Sequence, residues 1–277
     1  MMNVQQSLRW AQAQLEASDS ARLDAEVLLA FVLQKARVYL YTWPEAELDN
    51  AAQTQFERLV IARAAGEPIA YLTGSQEFWS LPLMTNRHTL IPRADTECLV
   101  ELALTLAPNT PAQVLDLGTG TGAIALALAS ERPNWLLTGV DRVLEAVALA
   151  GRNAKALAIN NATFLQSDWF AALTDKRYNL IVSNPPYIDA DDQHLAQGDV
   201  RFEPRSALVA PAAGLADIQR IAVDAGAHLE SGGYLLLEHG WQQGSAVRER
   251  LSAAGFIAVA THQDLAGRDR VTVGQQP

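Results

Sequence analysis

The spacing of apolar residues changes along the chain and separates it into three stretches. Up to about residue 70, apolar residues recur at the three- and four-residue intervals of amphipathic helices. One such run contains Leu23, Val27, Leu28, Phe31 and Val32. A second helix is expected to begin after Asp49 and to end near Gly66. Because strand-like alternation is missing from this stretch, we predict a small bundle of helices.

The second stretch, from about residue 71 to residue 92, breaks the helical pattern. Gly74, Pro82 and Pro92 interrupt it, and aromatic and apolar residues alternate between them. A period of two favours strands, so we expect a β-hairpin that links two domains. Asp95 then precedes a helical run and is expected to cap it.

In the third stretch, beyond Gln113, short apolar segments alternate with helical ones. This alternation is typical of a parallel sheet whose strands are connected by helices, so we predict an α/β fold. The predicted strands comprise residues 114–117, 136–141, 163–166, 180–183, 234–238, 256–260 and 271–273.

Composition and charge narrow the possible functions. A chain of 277 residues that is 49% hydrophobic can form two domains with real cores. Its net charge of −10 argues against binding nucleic acid phosphates. The single cysteine, Cys98, allows no internal disulfide and fits a reducing compartment. Since neither a signal peptide nor a membrane-spanning apolar run is apparent, we expect a cytoplasmic protein without membrane association.

A glycine-rich turn follows the first predicted strand and leads into a helix. Glycines let the backbone approach a ligand closely, and the start of a helix offers free N–H groups. The spacing is G-x-G-x-G, which differs from dinucleotide folds, and no lysine follows as in triphosphate-binding loops. The candidate cofactor-binding residues here are Gly118, Thr119, Gly120, Thr121 and Gly122.

Polar residues at the ends of the next two strands extend this candidate site. Asp141 ends the second strand, where a carboxylate can accept hydrogen bonds from both hydroxyls of a ribose. Asp168 and Trp169 follow the third strand and offer an acceptor for an exocyclic amine beside a flat surface for a purine. Ribose and adenine sites without a phosphate-binding lysine indicate S-adenosylmethionine.

The fourth strand ends in Asn184-Pro185-Pro186-Tyr187. Ligands of open parallel sheets bind at the carboxyl ends of strands, so we expect this motif beside the glycine loop and the cofactor. Prolines fix the backbone and remove N–H donors, which leaves carbonyl groups to accept. With the side-chain carbonyl of Asn184 and the ring of Tyr187, the motif predicts a receptor that positions a planar –NH2 group for methylation. Asn184 is the predicted catalytic residue.

These motifs resemble those of class I methyltransferases that act on a planar nitrogen. Residues 90–97, LIPRADTE, are similar to the I-P-R-x-D/E-T-E signature of the HemK/PrmC family, as are residues 67–74 and 202–204. The resemblance implies a helical recognition domain (1–72), a β-hairpin linker (73–95) and a Rossmann-like methyltransferase domain with a seven-stranded sheet (96–277). It also implies methylation of the glutamine in the Gly-Gly-Gln motif of release factors 1 and 2, with S-adenosyl-L-homocysteine as product.

Several residues have two interpretations. Arg93 either closes the substrate pocket or pairs with Glu97 at the start of a helix. Phe78 and Trp79 belong either to the cleft or to the core. The acidic residues 189–192 form either a solvated loop or a lid that meets the protein partner. The five histidines lack paired spacing, so we predict no metal site.

Two other functions remain open. The first is a nucleic acid amino methyltransferase, since similar motifs accept base amino groups; the acidic charge argues against it. The second is a non-catalytic module that binds S-adenosylmethionine, against which the intact N-P-P-Y motif argues. We expect release factors as partners, no direct nucleic acid contact, and a monomer.

Overall fold

The computed structural model describes residues 2–107 and 110–277. The described residues form two compact units. The first contains the chain up to Ser75 together with His194–Phe202. The second contains Gln76–Gln193 and Glu203–Pro277.

Helices build the first unit, because their apolar faces bury a common core that includes Leu28, Leu29 and Phe56. The carboxylate of Asp49 accepts a hydrogen bond from the backbone N–H of Ala52 at 2.7 Å, which is the predicted cap. The helices are α1 (Val4–Gln14), α2 (Ala21–Leu33), α3 (Val38–Thr42), α4 (Asn50–Ala64) and α5 (Ile69–Thr73).

A second segment of chain completes this unit. Residues 194–202 follow the N-P-P-Y motif in sequence but belong to the helical unit. Arg63 of α4 forms ion pairs with Asp24 of α2 at 2.8 Å and with Asp199 of this segment at 3.0 Å. One guanidinium therefore joins the segment to two helices.

The predicted hairpin is present as strands β1 (Ser75–Phe78) and β2 (Leu81–Met84). The sheet of the second unit has the order β5-β4-β3-β6-β7-β9-β8. Strands β3 to β7 pair in parallel, and β9 runs antiparallel to both of its neighbours. The strands are β3 (Gln113–Leu117), β4 (Leu136–Asp141), β5 (Ala162–Gln166), β6 (Tyr178–Ser183), β7 (Leu229–Glu238), β8 (Ile257–Gln263) and β9 (Asp269–Gln275).

Helices cover both faces of this sheet, and two apolar clusters fill the space between the layers. Helix α7 is buried on all sides, which explains its almost unbroken apolar sequence. The helices are α6 (Glu97–Leu106), α7 (Ala123–Glu131), α8 (Leu144–Ala156), α9 (Pro211–Gly214), α10 (Ala216–His228) and α11 (Gly244–Ala253). The predicted fold class is therefore confirmed.

The expected cap at Asp95 is wrong. A short 3₁₀ turn, Ala94–Thr96, precedes α6, and the residue at the cap position makes no side-chain capping hydrogen bond. The carboxylate of Asp95 instead lies 3.2 Å from the guanidinium of Arg270 on β9. A partner distant in sequence has displaced the local interaction.

The chain order reverses beside β3, since β4 lies on one side of it and β6 on the other. Such a switch point leaves a crevice at the carboxyl ends of the strands, where ligands of open α/β sheets bind. In the described ranges, no helix is long and apolar enough to cross a membrane.

Candidate active site

A pocket of the second unit lies at the carboxyl ends of β3, β4 and β6, at the switch point of the sheet. It is an open cleft of about 940 Å³, a volume that includes the solvent at its mouth. Its wall includes these predicted site residues: Arg93, Gly118, Thr119, Gly120, Thr121, Asp141, Asp168, Trp169, Asn184 and Pro186. Within the described lining, Gly122, Pro185 and Tyr187 are absent.

Gly122 supports the loop from behind. Its φ of +83° lies in the left-handed region that favours glycine. A Cβ atom at this position would come within 3.1 Å of side chains on α7 and α8, those of Leu126 and Ala150. The glycine thus allows α7 to begin directly after the loop. Gly118, in contrast, faces the ring of Trp169, which would lie 3.6 Å from an added Cβ.

The Asp141 carboxylate is held by the backbone on both oxygens. Oδ2 accepts from the N–H of Gly120 at 3.0 Å, and Oδ1 accepts from the N–H of Val143 at 2.9 Å. Burial raises its pKa above the ordinary value, and these backbone donors oppose the rise. A carboxylate has about four acceptor positions, so two are left for a pair of ligand hydroxyls.

Asp116, the residue before the last of β3, was not predicted as part of the site. Its carboxylate is fully buried; Oδ2 accepts from the hydroxyl of Thr119 at 2.6 Å and from the N–H of Ala125 at 3.3 Å. Oδ1 has no hydrogen-bond partner among the described residues. Burial raises the pKa of Asp116 to about 7. The side chain therefore shapes the loop from inside the core.

Asp168 lies in the wall, but it also forms an ion pair that the sequence did not reveal. The guanidinium of Arg220 on α10 donates to both carboxylate oxygens at 3.1 Å. Both side chains are about half exposed, so the pair orients the carboxylate more than it stabilises the fold. Trp169 has a φ of +51°, and its ring lies near Gly118.

The two polar residues of N-P-P-Y are tied to different partners. The side-chain nitrogen of Asn184 donates to the hydroxyl of Thr96 at 3.2 Å. The hydroxyl of Tyr187 donates to Oε1 of Glu238 at 3.2 Å, and burial raises the pKa of this phenol. Asn184 lies in the wall, whereas Tyr187 supports it from below.

Arg93 and Glu97 each have a separate partner. Arg93 forms an ion pair with Glu203, whose buried carboxylate also accepts from the N–H of Ile91 at 2.9 Å. Glu97 accepts from the N–H of Trp79 at 2.9 Å. Ile91 and Arg93 of the I-P-R segment thus both bind Glu203, which directly follows residues 194–202. Arg93 is held in the pocket wall rather than paired with Glu97.

The aromatic residues of the hairpin serve the core in part. Phe78 is buried in the apolar cluster under the sheet and also contributes to the pocket wall. The indole of Trp79 donates to Glu131 at 2.9 Å. Over the described ranges, no group of three or more His, Cys, Asp or Glu side chains could hold a metal ion.

The chain is similar to known proteins in both parts. The sequence model of the PrmC N-terminal domain matches residues 6–74, and that of the methyltransferase small domain matches residues 95–201. Curated proteins called release factor glutamine methyltransferase are 56% identical in Salmonella typhimurium and 55% in Escherichia coli, each alignment covering 99% of both chains. One from Pseudomonas aeruginosa is 58% identical and covers 95% of both.

Solved structures share the fold at low identity. A methyltransferase from Pyrococcus furiosus has a TM-score of 0.55 and 16% identity, covering 79% of this chain and 97% of its own. A 16S rRNA N2 G1207 methyltransferase from T. thermophilus has a TM-score of 0.52 and 24% identity, covering 73% and 50%.

Proposed function

The chain belongs to the release factor glutamine methyltransferase family, and on this premise we propose that it methylates release factors 1 and 2. The methyl group goes from S-adenosyl-L-methionine to the side-chain amide nitrogen of the glutamine in their Gly-Gly-Gln motif. One observation carries the proposal. The glycine loop, Asp141 and Asn184 share the wall of one pocket, which supports a cofactor site that adjoins an amide receptor.

The residues present fit this methyl donor. Asp141 has acceptor positions left for the ribose, and the ring of Trp169 in the pocket wall offers a flat surface to a purine. Asp168, oriented by Arg220, offers acceptor positions for an exocyclic amine. S-adenosyl-L-methionine would supply an electrophilic methyl group bound to a sulfonium sulfur. S-adenosyl-L-homocysteine is the leaving group that remains after transfer.

The reaction depends on positioning, because an amide nitrogen is a poor nucleophile. Thr96 engages the nitrogen of the Asn184 side chain, so the carbonyl oxygen of Asn184 is left to accept an N–H of the substrate glutamine. Pro185 and Pro186 fix the backbone and remove two N–H donors, which leaves backbone carbonyls in this motif to accept the second N–H. Fixing both hydrogens on acceptors aligns the nitrogen and favours the positive charge that develops on it. Arg93 closes the substrate side.

The helical unit is the part that recognises the release factor in this proposal. Exposed apolar side chains on and after α3 support it: Val38 is 67% exposed, Tyr41 52% and Trp43 59%. Such residues are typical of binding surfaces. Their replacement by serine should raise KM for an intact release factor and leave KM for a short Gly-Gly-Gln peptide unaffected.

Methyl transfer to defined acceptors tests the function. The enzyme is incubated with S-adenosyl-L-methionine and intact release factor 1 or 2, and the tryptic peptides are analysed by mass spectrometry. We expect one added methyl group on the Gly-Gly-Gln peptide and none when that glutamine is replaced by alanine. Methylation of DNA or RNA in parallel reactions, with the release factor left unmodified, would show a nucleic acid enzyme instead. Binding of cofactor without transfer to any acceptor would show a regulatory module.

A further inference from the structure

Glu238 is a buried carboxylate beneath the reaction site and outside the pocket wall. It is the last residue of β7 and only 1% exposed. Oε1 accepts from the hydroxyl of Tyr187, while Oε2 is buried without a hydrogen-bond partner among the described residues. Burying a charged group in this way is unfavourable, so its position calls for a role beyond packing.

Two lines of contact run from this carboxylate to the N-P-P-Y motif. The first is direct, through the hydroxyl of Tyr187 at 3.2 Å. The second passes through Thr96, whose hydroxyl oxygen accepts from the side-chain nitrogen of Asn184 at 3.2 Å and which favours the ionised form of the Glu238 carboxylate. Tyr187 thus contacts the buried carboxylate directly, and Asn184 contacts Thr96, which influences it.

We propose that Glu238 is a positioning residue that determines which end of the Asn184 side-chain amide faces the substrate. An ionised carboxylate can only accept hydrogen bonds, so in this proposal the Thr96 hydroxyl directs its hydrogen toward Glu238. The Thr96 oxygen can then only accept, which requires the nitrogen of Asn184. The carbonyl oxygen of Asn184 is thereby turned toward the substrate N–H. The inference rests on the proposed amide receptor.

Without the negative charge, this order of donors and acceptors is lost. Thr96 could then donate to the carbonyl oxygen of Asn184, and the amide would present its own N–H groups to the substrate nitrogen. Donor would face donor, and the methyl acceptor would no longer be held in line. A neutral group at position 238 should therefore lower the rate of methyl transfer while leaving the cofactor site intact.

The charge of Glu238 changes near neutral pH. Burial raises its pKa to about 7, and the nearby Asp95 adds to the rise. Thr96, Arg270 and Tyr187 favour the ionised form and oppose it. Arg270 is itself paired with Asp264 at 3.1 Å. We therefore expect the wild-type rate to fall as pH falls through about 7, because the carboxylate becomes protonated.

The test is single-turnover methyl transfer at saturating S-adenosyl-L-methionine and release factor, measured from pH 5.5 to 8.5. Glu238→Gln should lower the rate at pH 8 by about 10- to 100-fold, less than the roughly 100- to 1000-fold loss of a preorganised hydrogen bond to the reacting group, because Glu238 acts through Asn184. The rate of this variant should no longer fall as pH falls through about 7, because the side chain cannot ionise. Its dissociation constant for S-adenosyl-L-homocysteine should stay within about threefold of wild type, since the cofactor wall is untouched.

Two further variants separate positioning from a merely structural role. Thr96→Val removes the hydroxyl between Glu238 and Asn184 but keeps the carboxylate, so its rate should be low and should no longer fall as pH falls through about 7. Thr96→Ser keeps a hydroxyl at this position, so both the rate and its pH dependence should resemble those of wild type. Glu230→Gln neutralises an exposed carboxylate on the same strand and serves as the matched control. Thr96→Val also tests the inference if Glu238→Gln does not fold.

A wild-type rate in Glu238→Gln or Thr96→Val, or a rate that still falls as pH falls through about 7, would overturn the inference. A wild-type enzyme that leaves the release factor unmodified would instead refute the proposed function. In that case the same pH series on the acceptor that is methylated still tests the role of Glu238.

Discussion

Asp141 is expected to bind the ribose of the cofactor, and Asp141→Ala should weaken that binding by about 10- to 100-fold. The carboxylate lies in the pocket wall, and the N–H groups of Gly120 and Val143 occupy one acceptor position on each oxygen. Two positions remain for the vicinal hydroxyls. Hydrogen bonds to a charged group contribute about 1.5–3 kcal/mol, which gives this range of affinity.

The substitution also releases the glycine loop, so the assay must separate the direct contact from the loop. We would measure the dissociation constants of S-adenosyl-L-homocysteine and its 2′-deoxy analogue by calorimetry, for wild type and for Asp141→Ala. In wild type the analogue should bind about tenfold more weakly, because one hydrogen bond to the carboxylate is missing. In the variant this difference should disappear, as expected for two groups that interact directly.

Asp191→Ala is the matched control, since this carboxylate is exposed on the loop after N-P-P-Y and lies outside the described pocket wall. It should change neither constant. An Asp141→Ala affinity within about threefold of wild type would refute the ribose contact, since that corresponds to less than 1 kcal/mol. If the 2′-deoxy analogue also binds about tenfold more weakly than S-adenosyl-L-homocysteine in the variant, the ribose contact is refuted as well. The weaker binding would then result from the altered glycine loop.

Three further predictions concern other parts of the site. Asn184→Ala should lower single-turnover transfer about 100- to 1000-fold and cofactor affinity less than about tenfold; a rate above about a third of wild type would contradict the amide receptor. Glu203→Gln weakens the contacts to Ile91 and Arg93, so it should lower the free energy of unfolding in urea by about 1–3 kcal/mol and raise KM for the release factor. If both values stay unchanged, Glu203 does not hold Arg93 in place. The Asp116 carboxyl has its pKa raised from 3.8 to about 7 by burial, so it contributes stability that is complete below pH 4 and is lost as pH rises to about 7. The free energy of unfolding of Asp116→Asn in urea should therefore rise relative to that of wild type between pH 5 and pH 8, by up to about 4 kcal/mol. If the difference in stability between the two proteins does not change with pH, this prediction is wrong.

The sequence by itself determined the order of the elements and the kind of ligand. Seven strands overlap the short apolar segments that predicted them. The central strands β3 and β6 are buried between helix layers and therefore need uninterrupted apolar runs, whereas β8 at the edge is mostly exposed. The glycine loop and Asn184 were visible for a related reason. A sharp turn at a strand end and a proline-fixed backbone are local features, and parallel strands bring their carboxyl ends together.

Only the tertiary structure decided which side chains hold the residues of the pocket wall in place. Arg220 orients Asp168 from 52 positions away, and Glu203 holds Arg93 from a distance of 110 positions. Of the two interpretations of Arg93 that the sequence left open, neither includes Glu203, because no local pattern indicates a partner so distant in the chain.

Glu238 is the clearest such case. Nothing adjacent to it in the sequence distinguishes it from a solvated residue at a strand end. Its role follows from β7 lying next to β6, which places the carboxylate under Tyr187 and near Thr96. Burial then makes the charge sensitive to every neighbouring dipole, because water no longer screens it. The number and direction of those dipoles exist only in the folded chain.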